Sequence, residues 1–257
     1  MDSAVQPLDL FRLDGRVALV TGASAGLGAR FARVLHAVGA TVVVTARRVE
    51  RLDDLAAELP GAIPIAADVA VAEDRERLIA QALEQAGRLD ILVNNAGISH
   101  TVGIEQETLE QFEQAMQVNT TAVWHLTKLV APHMIERGSG SIVNVASMLG
   151  HVGSAPIKQA NYCASKGAVV NMTRELALQF ARKGVRVNAL CPGYFPSEMT
   201  EPMVGNESSL NYLRTYSGIP RMGDDHELDG ALLLLATDAG SYITGHSLLV
   251  DGGFTAR

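Results

Sequence analysis

The chain has 257 residues, of which 47% are hydrophobic and 19% are charged, and its formal net charge at pH 7 is −7. This length is compatible with one large α/β domain or two small ones, and no linker-like composition, repeat or low-complexity tract divides the chain. Acidic and basic residues are interspersed without a basic stripe, which argues against binding of nucleic acid or of an anionic membrane surface.

No segment of the sequence is typical of a signal peptide or of a membrane span. Residues 1–15 are acidic and lack an apolar core. The longest strongly apolar run, residues 231–236, is far shorter than the ~18 residues that a membrane span needs. Cys163 and Cys191 lack the spacing of a metal site or a redox pair. We therefore expect a cytoplasmic protein that binds no metal and keeps its cysteines as small buried thiols.

The first predicted unit is a strand over residues 17–20, a helix over 27–38 and a second strand over 41–45. Three glycines lie at the turn between the first strand and the helix. We expect one to adopt a backbone conformation that a Cβ would strain, one to let a phosphate approach, and one to let the helix pack on the strand. Helix N-termini favour anions, so the turn is a candidate phosphate site, although glycine triplets also occur without a ligand. In chain order, these glycines are Gly22, Gly26 and Gly28.

Apolar strands and amphipathic helices alternate along the rest of the chain, and Thr108 and Gln111 are spaced as a capping box. This alternation predicts a single-domain, doubly wound parallel α/β sheet of about seven strands over residues 1–257, with ligands at the carboxyl ends of the strands. The long irregular segment 194–220 is predicted to be a substrate-binding lid. The remaining predicted strands are 62–66, 89–93, 141–145, 185–190 and 247–250. The remaining predicted helices are 48–59, 73–85, 109–135, 161–182 and 225–237.

Four groups of polar residues are expected where strands end or on the helices that follow. The sequence N-N-A-G ends at Gly97, Ser147 follows the next strand, and Asn119 is in the middle of a helix. Tyr162 and Lys166 are four residues apart and therefore share one helix face. Taken singly, each has a structural explanation, such as a core tyrosine or a serine that caps a turn. Taken together with the glycine turn, they favour a catalytic interpretation.

In order and spacing, these motifs resemble those of the classical short-chain dehydrogenase/reductase family over about residues 14–253. The matching motifs are T-G-x-x-x-G-x-G, N-N-A-G, a serine after the fifth strand, Y-x-x-x-K, and P-G after the sixth strand. The resemblance implies a Rossmann fold and an NAD(P)-dependent enzyme that interconverts a secondary alcohol and a ketone. The alternative from another class is a non-catalytic, nucleotide-binding regulatory protein on the same fold.

By this resemblance, Asn119, Ser147, Tyr162 and Lys166 are the catalytic residues, with Tyr162 as the acid/base. The pKa of an unperturbed tyrosine, ~10, is too high for efficient proton transfer near neutrality. We expect the positive charges of Lys166 and of an oxidised nicotinamide to favour tyrosinate. Ser147 is expected to donate a hydrogen bond to the substrate oxygen. The resemblance also implies that Asn119 holds a water that links Lys166 to solvent.

The predicted coenzyme is NADP(H), with NAD(H) as the alternative. Ala46 occupies the position where NAD-preferring relatives carry Asp, and Arg47 follows it; an arginine there can accommodate a 2′-phosphate. Ala25 weakens this prediction, because many NADP-preferring relatives place a basic residue there. The predicted coenzyme-binding residues are Gly22, Ser24, Ala25, Gly26, Leu27, Gly28, Arg47, Arg48, Asp68, Val69, Asn95, Ala96, Gly97, Tyr162, Lys166, Pro192, Gly193 and Ser197.

The substrate class stays open between an acyl thioester, a polyol or sugar acid, and a steroid or xenobiotic ketone. Apolar residues in the loop at 148–158 and in the lid suggest a mainly apolar substrate pocket. The predicted substrate-binding residues are Ser147, Leu149, His151, Tyr162, Tyr194 and Met199.

We also expect a homo-oligomer, most readily a tetramer with a dimer as the alternative. The helix over residues 161–182 has apolar residues on more than one face, which indicates more burial than one sheet provides. In the family that the chain resembles, the two long helices pair between subunits. The second apolar face consists of Val170, Ala177, Leu178 and Ala181.

Overall fold

One sheet of seven parallel strands forms in residues 6–256, the part of the chain that the computed structural model describes. The strands are β1 (Val17–Thr21), β2 (Thr41–Ala46), β3 (Ile63–Ala66), β4 (Ile91–Asn94), β5 (Gly140–Val145), β6 (Val185–Pro192) and β7 (Ser247–Val250). Their order is β3-β2-β1-β4-β5-β6-β7, which confirms the predicted doubly wound, Rossmann-type sheet. Residues 1–5 and 257, which the predicted domain range includes, lie outside the described residues.

Helices cover both faces of this sheet, as a parallel sheet of apolar strands requires. On one face, Phe31 and Leu232 join a core with Val20 and Val42. On the other face, Leu126 is in the cluster that contains Leu19. No helix among residues 6–256 is long and apolar enough to cross a membrane. The helices are α1 (Gly26–Ala37), α2 (Val49–Glu58), α3 (Ala72–Ala86), α4 (Leu109–Met116), α5 (Ala122–Glu136), α6 (Ala160–Phe180), α7 (Glu207–Tyr216) and α8 (Asp229–Ala236).

The helix predicted over residues 109–135 is interrupted by a π-helical turn, Gln117–Thr121, between α4 and α5. The capping box predicted at Thr108 and Gln111 is confirmed at the start of α4. The interruption was not predicted because a π-turn adds a residue to the helix without breaking its apolar pattern. Asn119 lies in this turn with its side chain fully buried, and π-turns of this kind are frequent at functional sites.

The segment over residues 194–220, predicted to be irregular, contains the helix α7 and a short 3₁₀ turn. Asn206 caps α7, since its side-chain oxygen accepts hydrogen bonds from the backbone N–H groups of Ser208 and Ser209. Tyr212 and Tyr216 on α7 pack with Phe254 near the C-terminus. The sequence prediction missed this helix because it is only 10 residues long and packs through aromatic contacts that local periodicity does not reveal.

Candidate active site

The glycine turn has the geometry that its sequence predicts. Gly22 and Gly26 adopt positive φ angles of 66° and 52°, which side-chain-bearing residues rarely adopt. A Cβ at Gly28 would lie 2.2 Å from the Gly22 carbonyl oxygen, so α1 can approach β1 this closely only with a glycine there. Ala25 precedes α1 and no side chain caps the helix, so the first N–H groups of α1 remain available for an anion.

A cavity of about 430 Å³ opens at the carboxyl ends of the strands beside this turn. Every residue predicted to bind the coenzyme lines it, from Gly22 to Ser197. Gln114, Val118, Phe195 and Glu198 also line the cavity, and no motif indicated them. The main-chain cradle, the cavity and the helix N-terminus together fit a dinucleotide.

Three of the four predicted catalytic residues face this cavity. Ser147 follows β5, and its hydroxyl oxygen accepts a hydrogen bond of 3.1 Å from the backbone N–H of Leu149, which leaves its proton to donate elsewhere. Tyr162 and Lys166 lie in the first two turns of α6. The Lys166 Nζ atom donates to the Val145 carbonyl over 2.7 Å and lies 5.6 Å from the centroid of the Tyr162 ring. A hydroxyl donor, a phenol and an ammonium group therefore meet at one end of the cavity.

Asn119 lies outside the cavity lining and connects the loop after β4 to α6. Its Oδ1 atom accepts from the backbone N–H of Ile98 over 2.8 Å, and its Nδ2 atom donates to the Ile98 carbonyl over 2.8 Å and to Ser165 Oγ over 2.9 Å. Ser165 Oγ in turn donates to the Tyr162 carbonyl over 2.8 Å. The side chains of Asn119 and Lys166 both approach Gly97 in the loop after β4. A Cβ at Gly97 would lie 3.4 Å from Asn119 Oδ1 and 3.5 Å from Lys166 Nζ. Asn119 thus helps to fix the positions of Tyr162 and Lys166.

Burial controls the protonation of Tyr162 and Lys166. It raises the pKa of Tyr162 to about 12, against the opposing effect of a hydrogen bond with Ser147. It also lowers the pKa of Lys166 to about 8. Both shifts favour the neutral side chain, as desolvation does. In the protein without the coenzyme, burial therefore dominates the pKa of Tyr162, and the sequence argument omitted this cost; the expected combined effect of Lys166 and an oxidised nicotinamide stays a prediction.

The lowered pKa of Lys166 predicts a pH-dependent stability that Lys166→Met should remove. In the folded protein this pKa is about 8, against 10.5 for an ordinary lysine. Between these values the unfolded chain binds more protons than the folded one, so the free energy of unfolding rises with pH. Relative to the variant, we expect the parent to gain at most about 1.4 kcal/mol per pH unit in this window. Urea denaturation at several pH values measures the gain, and a pH-independent difference between the two proteins would contradict the prediction.

The predicted substrate-binding residues divide into two groups. Ser147, Tyr162 and Met199 line the cavity, whereas Leu149, His151 and Tyr194 do not. Leu149 is buried within a 3₁₀ turn, and the His151 ring lies 3.6 Å from the Cys191 sulfur. Tyr194 packs edge-on against Tyr212 and Phe254. These differences arise in loops, where the sequence does not determine which way a side chain points.

A cluster of charged residues borders the other end of the cavity. Arg47 and Arg48 follow β2, and the Nε and Nη2 atoms of Arg48 donate to Ser24 Oγ in the glycine turn over 3.2 and 2.9 Å. Arg48 and Arg51 both pair with Glu198. Arg48 is thus the arginine that contacts the glycine turn, although the sequence argument emphasised Arg47.

The fold and the cavity define a Rossmann-type protein built to bind a dinucleotide. A family model described as "short chain dehydrogenase" matches residues 16–208. The chain is 40% identical to gluconate 5-dehydrogenase from Gluconobacter oxydans, over 96% of this chain and 97% of that protein. It is 36% identical to the 3-oxoacyl-[acyl-carrier-protein] reductase from Thermotoga maritima, over 94% and 98%.

A solved structure supports the same assignment. The crystal structure of a gluconate 5-dehydrogenase from Burkholderia cenocepacia, in complex with NADP and tartrate, superposes with a TM-score of 0.92 at 35% identity, over 98% of this chain and all of that one. The chain belongs to the short-chain dehydrogenase/reductase family. It is an NAD(P)-dependent oxidoreductase that acts on CH–OH groups.

Proposed function

We propose that the protein is an NADP(H)-dependent enzyme that interconverts a secondary alcohol and a ketone with Tyr162 as the acid/base. The observation that carries this proposal is that Ser147, Tyr162 and Lys166 share one cavity with the glycine turn and with Arg48. When bound, the nicotinamide coenzyme supplies or accepts the hydride. The residues of the chain hold the substrate and move the proton.

In the reductive direction, the Tyr162 hydroxyl donates its proton to the carbonyl oxygen of the ketone. With its pKa raised to about 12, Tyr162 is protonated at neutral pH and ready for this step. Ser147 donates a hydrogen bond to the same oxygen, which stabilises the negative charge that develops there. Proton transfer leaves a tyrosinate at Tyr162. In its protonated, positively charged form, Lys166 stabilises this tyrosinate. Asn119 keeps Tyr162 and Lys166 in position through Ser165 and the loop after β4.

For the substrate, the comparisons favour a polyol or sugar acid over an acyl thioester or a steroid. Gluconate 5-dehydrogenase is the named activity of both a curated relative and a solved structure, whereas a 3-oxoacyl reductase is less similar. The segment over residues 194–220 would be the lid that covers this substrate, since Met199 lies in the cavity lining. We regard the whole chain as one catalytic domain.

The function is tested with a panel of ketones and alcohols assayed with NADP(H) and NAD(H). The panel contains 5-keto-gluconate, a ketohexose, a 3-oxoacyl thioester and a 7-oxo steroid. We expect turnover with NADP(H) on the sugar-derived substrates. Coenzyme binding, measured by nicotinamide fluorescence, without turnover of any substrate would favour the non-catalytic regulatory protein instead.

We propose that the protein is a homotetramer. The argument from α6 is weaker than the sequence indicated, because Val170 and Ala177 are buried within the subunit. Large apolar side chains nevertheless remain exposed on α4, α5 and α6, where another subunit could cover them. We expect light scattering to give about four times the 27.3 kDa chain mass, and a monomer at micromolar concentration would contradict the proposal. The exposed side chains are Leu109, Phe112, Trp124 and Leu178.

A further inference from the structure

We propose that Glu198 limits the affinity for NADP(H), because its carboxylate and the 2′-phosphate of this coenzyme compete for the guanidinium group of Arg48. This inference rests on the proposed NADP(H) site. It assigns to the segment over residues 194–220 an effect on coenzyme binding that is separate from any contact with the substrate.

The contacts of Glu198 are those of an anion held by two arginines. Its Oε1 and Oε2 atoms accept from Nη1 and Nη2 of Arg48 over 2.7 and 2.9 Å, in a two-pronged pair. The Oε1 atom also accepts from Arg51 Nη1 over 2.7 Å. Planar guanidinium groups bind carboxylates and phosphates in this same bidentate way, so the arrangement that holds Glu198 also suits a phosphate.

The position of Arg48 indicates which phosphate group of the coenzyme would take the place of the Glu198 carboxylate. Arg48 follows β2 by two residues and also donates to Ser24 Oγ in the glycine turn. In a Rossmann fold, a residue about 20 positions after the glycine turn contacts the adenosine ribose at its 2′ position. Arg48, which connects the glycine turn to the end of β2, is therefore placed to bind the 2′-phosphate. Glu198 binds Arg48 at the same edge of the cavity.

The segment that carries Glu198 also lies against the glycine turn. A Cβ at Gly26 would lie 3.5 Å from Ser197 Cβ, so the residue before Glu198 is in contact distance of the place where the pyrophosphate approaches the main chain. Ser197, Glu198, Met199 and Thr200 all line the cavity. A coenzyme with a 2′-phosphate has to separate Glu198 from Arg48, whereas a coenzyme with a 2′-hydroxyl does not compete for that guanidinium.

The extent to which Glu198 weakens NADPH binding depends on how exposed its ion pairs are. The side chains of Arg48 and Glu198 are 42% and 56% exposed, so water screens their attraction and the cost of separating them is modest. Removing the negative charge of Glu198 should tighten NADPH binding by about fivefold, the upper range for exposed ion pairs. Coenzyme without the 2′-phosphate should gain much less.

The experiment compares the parent with Glu198→Gln and with the control variant Glu201→Gln. Glu201 is exposed in the same segment, and no ion pair joins it to another residue in the part of the chain that the structure describes. Dissociation constants are measured by fluorescence for NADPH and NADH. Calorimetry gives those of 2′,5′-ADP and 5′-AMP, which differ in the 2′-phosphate and lack the nicotinamide.

We expect Glu198→Gln to tighten NADPH and 2′,5′-ADP about fivefold and to change NADH and 5′-AMP by less than about twofold. The Glu201→Gln variant should match the parent for all four ligands. Equal tightening of NADPH and NADH, unchanged binding of NADPH, or the same effect in both variants would overturn the inference. The proposed coenzyme preference is tested separately by the parent alone, and it fails if the parent binds NADH more tightly than NADPH.

Discussion

Replacing Tyr162 with phenylalanine is expected to lower kcat by about a thousandfold, within the range that general acid–base catalysis contributes. The substitution removes one hydroxyl from a half-buried ring that lines the cavity and leaves the glycine turn, Arg48 and Lys166 unchanged. The dissociation constant of NADPH should therefore stay within about twofold of the parent value, a change of about 0.4 kcal/mol. Steady-state rates with the best ketone of the panel measure the first quantity, and coenzyme fluorescence measures the second.

Tyr242→Phe is the matched control for this variant. It makes the same chemical change on a fully exposed side chain that does not line the cavity, and it should retain the parent kcat. Substantial turnover by Tyr162→Phe would show that another group transfers the proton. Loss of coenzyme binding in that variant would instead show that the hydroxyl also contributes to holding the coenzyme.

Most of the fold could be predicted because its elements are long and regularly patterned. Apart from α8, the predicted bounds of strands and helices differ from the structure by two residues or fewer, except where the helix over 109–135 is interrupted. Predicted strand and helix alternation specifies a parallel sheet on physical grounds, since only that arrangement buries every apolar strand. Two features escaped this reasoning. The π-turn around Asn119 leaves the apolar pattern of the sequence unbroken. The tyrosines of the short helix α7 pack on Tyr194 and Phe254, and local periodicity does not reveal such contacts.

The sequence also predicts some features of the candidate site and not others. Its coenzyme residues could be placed together because they follow successive strands, and the carboxyl ends of parallel strands share one edge of the sheet. The contact between Arg48 and Glu198 could not be predicted, since 150 positions separate the two residues and neither belongs to a motif. The pKa shifts of Tyr162 and Lys166 could not be predicted from the motif either. The spacing of the two residues shows that they share a helix face, but it does not show how deeply they are buried.

The second large predicted effect is a reversal of coenzyme preference by substitutions at the end of β2. The parent is expected to favour NADP(H) over NAD(H) in kcat/KM by tenfold or more, about 1.4 kcal/mol. Ala46→Asp/Arg48→Leu should reverse this preference, an overall change of about a hundredfold or 2.7 kcal/mol. Ala46 ends β2 and lines the cavity, so an aspartate there can accept a hydrogen bond from the ribose 2′-hydroxyl and repel a 2′-phosphate. Removing Arg48 eliminates the guanidinium group that faces the glycine turn.

Two control variants separate the causes of this reversal. Ala46→Asn/Arg48→Leu matches the size of the first variant without the new negative charge, and it should lose NADP(H) preference without gaining activity with NAD(H). Arg47→Leu tests the arginine that the sequence argument emphasised. Since Arg48 is the one that contacts Ser24, Arg47→Leu should shift the preference less than the loss of Arg48 does. A larger shift from Arg47→Leu would place the 2′-phosphate on Arg47, and a parent that favours NAD(H) would show that neither arginine selects the coenzyme.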